Sequence, residues 1–196
     1  MIKEKVGIDY GSKLAGTTVI AYEIGEAVHL MKSKKGEDAD KMIWDFVTEH
    51  QVKVVGLDAP LSLPGVYSND SEYDDYFYRS CDKELKAMSP MFLGGLTARA
   101  MKLKNALESA YLKMYEVYPA KVALELGLKA YGYKTKTADY NQILSILNDC
   151  NLKLSKETTI ETPHDLDGIL ALYVAKRIGT SSDNSVGKPK EGLIYY

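Results

Sequence analysis

Residues 5–12 read KVGIDYGS, a short β-prone run that ends in an acid and a glycine-containing turn. Two more runs rich in strand-forming residues follow at 16–22 and 26–31, with Gly25 as the turn residue between them. Connections this short favour antiparallel hairpins. We therefore predict three antiparallel strands, the first of which ends at Asp9.

The mostly apolar run at 51–58 predicts a central strand covered on both faces. It ends at Asp58, just before Pro60, which cannot continue a ladder of strand hydrogen bonds. Strands that are joined through helices are expected to run parallel to the first strand. The remaining patterns predict helices around 42–47, 71–88, 96–112, 120–129, 138–147 and 162–178, and strands at 114–118 and 192–196.

Length and composition limit the class of protein. The 196 residues carry 25 Lys+Arg against 27 Asp+Glu, so a nucleic-acid binder that relies on bulk positive charge is not expected. A hydrophobic content of 45% excludes a disordered chain and predicts one α/β domain, with an insertion around 61–95 and a flexible segment around 179–191. We expect a cytoplasmic protein without membrane contact, because the sequence has no long apolar run and only two cysteines.

Asp9 and Asp58 are the first candidate site residues. If their strands are parallel neighbours, both acids emerge at the carboxyl edge of the sheet, where α/β proteins bind ligands. For each acid alone, the alternative is that it only initiates a turn.

The last predicted helix supplies a third acid. Thr162 is a typical N-cap, and Asp165 three residues later is explained by reciprocal capping and points away from the apolar stripe. Asp167 falls on the flank of that stripe, where an acid needs a cation, a donor or a metal. The alternative is a partly solvated acid that interacts with the helix dipole. Glu116, on the predicted strand at 114–118, is a fourth candidate, or else an acid of an edge strand that faces solvent.

Three or four converging carboxylates without histidine or cysteine partners are hard oxygen ligands. Such a set suits Mg²⁺ or Mn²⁺ rather than Zn²⁺. Metal ions held in this way can activate a water and stabilise the attacking and leaving oxygens of a phosphodiester. The acids therefore predict a metal-dependent nuclease, with nucleic acid as its partner.

The motifs also carry a family resemblance. Residues 6–12 with Gly16 resemble the first hairpin of RNase H-like domains, including Holliday-junction resolvases. The segments 55–64, 79–82, 116–119 and 164–168 resemble the predicted-nuclease family called domain of unknown function 429.

That resemblance implies an RNase H-like fold with a mixed five-stranded sheet flanked by helices. It implies that Asp9, Asp58 and Asp167 hold the metal. The same motifs contain further candidates. Arg79, in an Arg-x-x-Asp motif with Asp82, is expected either to bind phosphate or to form a salt bridge. Arg99 and Lys134 are expected either to bind substrate or to be solvated cations, and His164 and Asp165 are secondary candidates in the last-helix motif. Gly168, which many relatives replace by alanine, is expected to reflect close packing.

Two other functions remain open. Asp9-Tyr10-Gly11 also fits the phosphate hairpin of actin-like and sugar-kinase-like phosphotransferases or ATPases, although those proteins use two such domains. A non-catalytic binding module would instead use the tyrosine-rich segment 66–78 as its interaction surface. A homodimer is compatible with the sequence, and the choice between DNA and RNA is open.

Overall fold

The computed structural model of the protein describes residues 1–68, 72–108 and 111–196. Its main sheet is built from Lys5–Asp9 (β1), Val19–Ile24 (β2), Ala27–Lys32 (β3), Val54–Asp58 (β4) and Lys113–Glu116 (β5). The strand order is β3-β2-β1-β4-β5, in which β1, β2 and β3 are antiparallel while β4 and β5 continue parallel to β1. The predicted mixed five-stranded sheet is confirmed.

Helices flank this sheet, and a small hairpin lies apart from it. The helices are Ala39–Glu49 (α1), Ser80–Leu85 (α2), Pro90–Leu93 (α3), Gly95–Leu107 (α4), Pro119–Glu125 (α5), Tyr140–Asp149 (α6) and Pro163–Arg177 (α7), with 3-10 turns at Gly65–Ser68 and Leu128–Tyr131. The strands Ser185–Lys188 (β6) and Gly192–Tyr195 (β7) form the separate antiparallel hairpin. In the described part of the chain, no helix combines the length and apolarity needed to cross a membrane.

Two predicted segments differ from the structure. The helix expected at 71–88 is reduced to α2, because Asp75 accepts the backbone N–H groups of Phe77 and Tyr78 in a turn before it and Lys86 adopts a left-handed conformation after it. Residue 71 of that predicted helix, residues 69–71 of the tyrosine-rich segment and residues 109–110 of the helix predicted at 96–112 lie outside the described residues. The segment expected to be flexible at 179–191 contains strand β6.

The side-chain alternation of β1 and β4 decides what each face of the sheet carries. Val6 and Ile8 point into a core shared with α1 and α4. Their neighbours Gly7 and Asp9 therefore point to the opposite face, which α7 covers. Because β1 and β4 pair in register, Gly7 lies beside Gly56 and Asp9 beside Asp58 on that face.

Gly7 and Gly56 form a notch in the sheet through which the backbone of α7 passes. A Cβ atom at Gly7 would stand 1.9 Å from the backbone nitrogen of Leu172, and one at Gly56 would stand 2.9 Å from the carbonyl oxygen of Ala171. Contact this close leaves no room for any side chain at Gly7. The notch therefore fixes both the height and the direction of α7 across the sheet.

Helix α7 is buried on almost every side, so the single apolar stripe predicted for it is wrong. The continuous run from Asp165 to Leu172 is buried, and Tyr173, which was placed on the stripe, is only half-buried. The helix lies between the sheet and α5, which leaves little of its surface for solvent. Gly168 packs against Val19, since a Cβ there would come within 3.2 Å of its side chain, and this confirms the expected close approach.

We predict that Gly7→Ala destabilises the protein by more than about 3 kcal/mol, because overpacking against a backbone is not relieved by side-chain rotation. The measurement is urea unfolding followed by circular dichroism. Gly95→Ala is the matched control, since a Cβ at that helical position meets no atom within 4 Å. Equal unfolding midpoints for the two variants would contradict the proposed notch.

Candidate metal centre

Three aspartates converge at the carboxyl edge of the sheet. Asp9 ends β1, Asp58 ends β4, and the two are direct neighbours in the parallel pairing. Asp167 reaches them from the beginning of α7, which crosses over both strands. One carboxylate oxygen from each residue lies within 4.8 Å of the others, so the predicted convergence of the triad is confirmed.

The electrostatics of this triad are unfavourable without a cation. Asp9 and Asp167 are 8% and 3% exposed. Burial, followed by the negative charges of Asp167 and Asp9, raises the pKa of Asp58 well above its ordinary value. Within the described ranges, the Asp58 carboxylate receives no hydrogen bond and forms no ion pair. A hard divalent cation fits this donor set, because it would neutralise charges that the protein leaves uncompensated.

A lysine, a histidine and a tyrosine hydroxyl group border the triad. Lys134 Nζ lies 2.7 Å from Asp167 Oδ2, and His164 Nδ1 lies 2.8 Å from Asp9 Oδ2. The hydrogen bond to Asp9 raises the pKa of His164. Burial alone would lower the pKa of Lys134, but the charge and hydrogen bond of Asp167, together with the charges of Asp58 and Asp9, outweigh it, and the net pKa is raised. Sequence analysis placed both residues near the site, and the structure brings both to it.

Tyr133 was missed by the sequence analysis. Its hydroxyl donates a hydrogen bond of 2.6 Å to Asp167 Oδ1, so Tyr133 and Lys134 hold the two oxygens of one carboxylate. Burial raises the pKa of Asp167 even so. No pattern distinguished Tyr133 among the 15 tyrosines, and only its position beside Lys134 could have drawn attention to it.

Arg79 was predicted to bind substrate, and this prediction is wrong. Its side chain is fully buried, and its guanidinium pairs with Asp82 at 2.7 Å and with Glu116 at 2.6 Å. Together with a bond from Nη1 to Ser62, five hydrogen bonds use the five N–H groups of the guanidinium. No donor remains for a phosphate, and the salt-bridge alternative is confirmed.

Glu116 was predicted as a fourth catalytic acid, and the structure assigns it elsewhere. Besides pairing with Arg79, it accepts the backbone N–H of Leu61 at 2.8 Å. Its alternative as a solvent-facing acid is wrong as well, since Glu116 is only 6% exposed. Asp82 completes the network by accepting the Arg79 backbone N–H in a capping box. Arg79, Asp82 and Glu116 therefore hold the insertion onto β5.

Arg99 lies beside the turn that follows β1. Its guanidinium pairs with Asp40 at 2.6 Å, donates to the carbonyl oxygen of Gly11 and stands 4.7 Å from the centroid of the Tyr10 ring. These contacts hold the turn in place next to Asp9. A contact between Arg99 and a substrate stays a prediction.

Asp165 caps α7 as predicted, but it does not point away from the protein interior. Its Oδ2 accepts the N–H groups of Glu161 and Thr162 and pairs with Lys32 at 3.0 Å. Asp165 is fully buried because Lys32 from β3 reaches over the beginning of the helix. The residue therefore anchors α7 to the sheet and contributes no atom to the aspartate triad.

A cavity of about 320 Å³ opens beside the triad. Asp9, Asp58 and Lys134 lie along one part of its lining, and Met88 and Leu96 lie along another. Asp82 and Glu116 also line it, but both are already engaged with Arg79. Two of the three aspartates, Asp9 and Asp58, thus line a partly open cavity, and Asp167 does not.

We predict that Arg79→Met lowers the free energy of unfolding by about 3–5 kcal/mol, because it leaves Asp82 and Glu116 buried without their cation. Urea unfolding at neutral pH measures the change. Lys83→Met, which breaks the exposed ion pair with Asp75, is the control and should change stability little. An Arg79→Met protein as stable as this control would show that the network is not structural.

Comparison of the chain with protein-family models, with curated proteins and with solved structures finds no match.

Proposed function

We propose that the protein is a metal-dependent nuclease with an RNase H-like fold. It hydrolyses phosphodiester bonds of nucleic acid with Mg²⁺ or Mn²⁺ held by Asp9, Asp58 and Asp167. The observation that carries the proposal is the Asp58 carboxylate, which lies close to two other acids and forms no hydrogen bond or ion pair among the described residues. The charge of Lys134 acts on it only from beyond ion-pair distance, since Lys134 pairs with Asp167. An acid in this position is costly to the fold unless a cation completes it.

The chemistry of the site follows from its residues. When bound, Mg²⁺ or Mn²⁺ supplies an activated water and stabilises the charge that develops on the phosphodiester oxygens. Tyr133 fixes the orientation of Asp167, and His164 does the same for Asp9. Lys134 provides a positive charge at the edge of the site, where a phosphate oxygen of the substrate would lie.

The topology supports the same proposal. Three antiparallel strands followed by two parallel ones, with acids at the ends of β1 and β4 and in a helix that crosses them, is the arrangement implied by the resemblance to RNase H-like nucleases and resolvases. A fold alone does not establish an activity, so the argument depends on the triad.

The phosphotransferase or ATPase alternative has less support. It requires free backbone N–H groups in the turn after Asp9 to bind phosphate. The N–H of Gly11 is instead donated to Thr18 Oγ1 at 3.0 Å. The non-catalytic alternative is separated from the proposal by the cleavage experiment below.

Binding of a metal ion to the triad should stabilise the folded protein. At an Mn²⁺ concentration 100 times its Kd, the wild-type protein should gain about 2.7 kcal/mol in the free energy of unfolding. Asp58→Asn should gain little, and in the absence of metal it should be at least as stable as the wild type because an amide has no charge to bury. Thermal unfolding with and without Mn²⁺ measures both effects, and Asp45→Asn, an exposed acid on α1, is the control.

The pH dependence of the free energy of unfolding of the metal-free protein tests the raised pKa of Asp58 independently. Its pKa in the folded protein is raised from the ordinary 3.8, so at intermediate pH the folded state keeps a proton that the unfolded state releases. The stability that Asp58 contributes is therefore present below pH 3.8 and is lost as the pH rises toward the folded pKa. Both Asp58→Asn and saturating Mn²⁺ should flatten this decline, and an unchanged slope would contradict the proposed site.

The proposed activity is tested directly by cleavage of nucleic acid. The wild-type protein should hydrolyse members of a panel of DNA and RNA oligonucleotides when Mg²⁺ or Mn²⁺ is added, and EDTA should stop the reaction. Asp9→Asn should lower the rate at least about a hundredfold, because it removes one metal ligand. Asp45→Asn should cleave like the wild type. A wild-type rate that Asp9→Asn does not change would exclude the triad as the active site, and tight binding without cleavage would favour the non-catalytic module.

A further inference from the structure

The cavity beside the triad has two chemically different sides. One side carries the carboxylates of Asp9 and Asp58. The other, here called the apolar wall, is formed by the side chains of Met88, Leu93, Leu96 and Tyr118. A small charged metabolite would use only the first side, whereas a nucleotide has both a phosphate and an apolar ring face.

The apolar wall combines one exposed side chain, that of Met88, with three half-buried ones. Met88 is 61% exposed, although it lies in a segment that the fold holds firmly. The next residue, Ser89, is fully buried, donates its hydroxyl to the carbonyl oxygen of Phe77 and accepts the N–H of Met91. The wall is therefore held in place by its backbone and by the packing of Leu96 and Tyr118 against neighbouring apolar clusters, while Met88 leaves apolar surface exposed in the cavity, as in a preformed binding surface.

The surroundings of the wall suit an uncharged ring. The acids at the back of the cavity, Asp82 and Glu116, are paired with Arg79 and offer no free charge. Tyr118 is half-buried, and its hydroxyl has no hydrogen-bond partner among residues 1–68, 72–108 and 111–196. A nucleobase has the flat apolar face that such a wall binds and polar edge atoms that could pair with this hydroxyl.

Size limits what can enter. A cavity of about 320 Å³ is at the lower end of small-molecule sites. A base that remains paired and stacked inside a duplex does not reach such a cavity, but an unpaired or extruded base does. The size of the cavity thus discriminates between paired and unpaired bases, and the overall charge of the nucleic acid plays no part in this choice.

We infer that the cavity holds one unpaired nucleobase of the strand whose phosphodiester lies at the aspartate triad. The substrate class is then single-stranded nucleic acid or a duplex with an unpaired nucleotide, such as a flap or a branch. This inference rests on the proposed nuclease function and adds the structural state of its substrate. The exposed rings of Phe77 and Phe92 have centroids 5.8 Å apart, and Phe92 directly precedes the wall residue Leu93, so these rings offer a second surface for stacking.

The test measures binding separately from cleavage. Fluorescently labelled oligonucleotides of one sequence are prepared as a single strand, as a full duplex, as a duplex with a single-stranded flap and as a single strand with abasic sites. Their affinities are measured by fluorescence anisotropy with Ca²⁺ as the hard cation. The single strand and the flap should bind about tenfold to a hundredfold more tightly than the duplex and the abasic strand.

A pair of methionine variants links this preference to the wall. Met88→Asn should weaken binding of the single strand about tenfold and leave duplex binding unchanged, since it removes apolar surface without adding charge. Met31→Asn changes an exposed methionine of β3 outside the cavity and should behave like the wild type. The exposure of both methionines means that neither change should impair folding.

The outcomes separate this inference from the proposed function. Duplex binding as tight as single-strand binding, or equal behaviour of Met88→Asn and Met31→Asn, would overturn the base cavity even if metal-dependent cleavage is observed. A preference for unpaired bases that Met88→Asn abolishes would support the cavity. Absence of Mn²⁺-dependent cleavage of every oligonucleotide in that case would overturn the nuclease function alone.

Discussion

The close contact between α7 and the Gly7–Gly56 notch determines where the candidate site is. The helix backbone meets the sheet at Ala171 and Leu172, and Asp167 lies four residues before that crossing, about 6 Å along the helix. Asp9 and Asp58 lie two residues beyond the two glycines, also about 6–7 Å along their strands. The carboxylates therefore meet because four residues of the helix and two residues of each strand cover about the same distance from the contact between α7 and the glycines.

Two clusters of acids in this protein differ in how far their negative charges are compensated by neighbouring side chains. Around Arg79, the acids Asp82 and Glu116 share a guanidinium whose five N–H groups are all used. In the triad, Lys134 and His164 contact Asp167 and Asp9, while Asp58 forms no hydrogen bond or ion pair among the described residues and feels the charge of Lys134 only from farther away. A saturated cluster leaves no buried charge unpaired, so removing its cation would destabilise the fold. An unsaturated cluster of the same charges destabilises it until a cation binds, and this contrast separates structural acids from candidate ligands.

Local rules of strands and helices could predict part of this arrangement from the sequence. An acid at the end of each of two neighbouring parallel strands must lie at one edge of the sheet, so Asp9 and Asp58 follow from strand order alone. Asp167 was also found, although the stripe used to place it does not exist in a helix buried on nearly all sides. The pairing of Arg79 with Glu116 could not be predicted, because it joins residues 37 positions apart through the path of an irregular insertion. The burial of Asp165 depends in the same way on Lys32 from a distant strand.

The net charge takes on a different meaning once the acids are located. Counting Glu116 with the triad, as the sequence suggested, would leave the rest of the chain at +2, but Glu116 is neutralised by Arg79. If only Asp9, Asp58 and Asp167 are set aside as metal ligands, the remaining residues carry a net charge of +1, compared with −2 for the whole chain. A protein so close to neutrality gains little affinity from bulk attraction to phosphates. Under the proposed function, recognition of nucleic acid then depends on short-range contacts at the site, and the apolar wall beside the carboxylates is the kind of surface that supplies them.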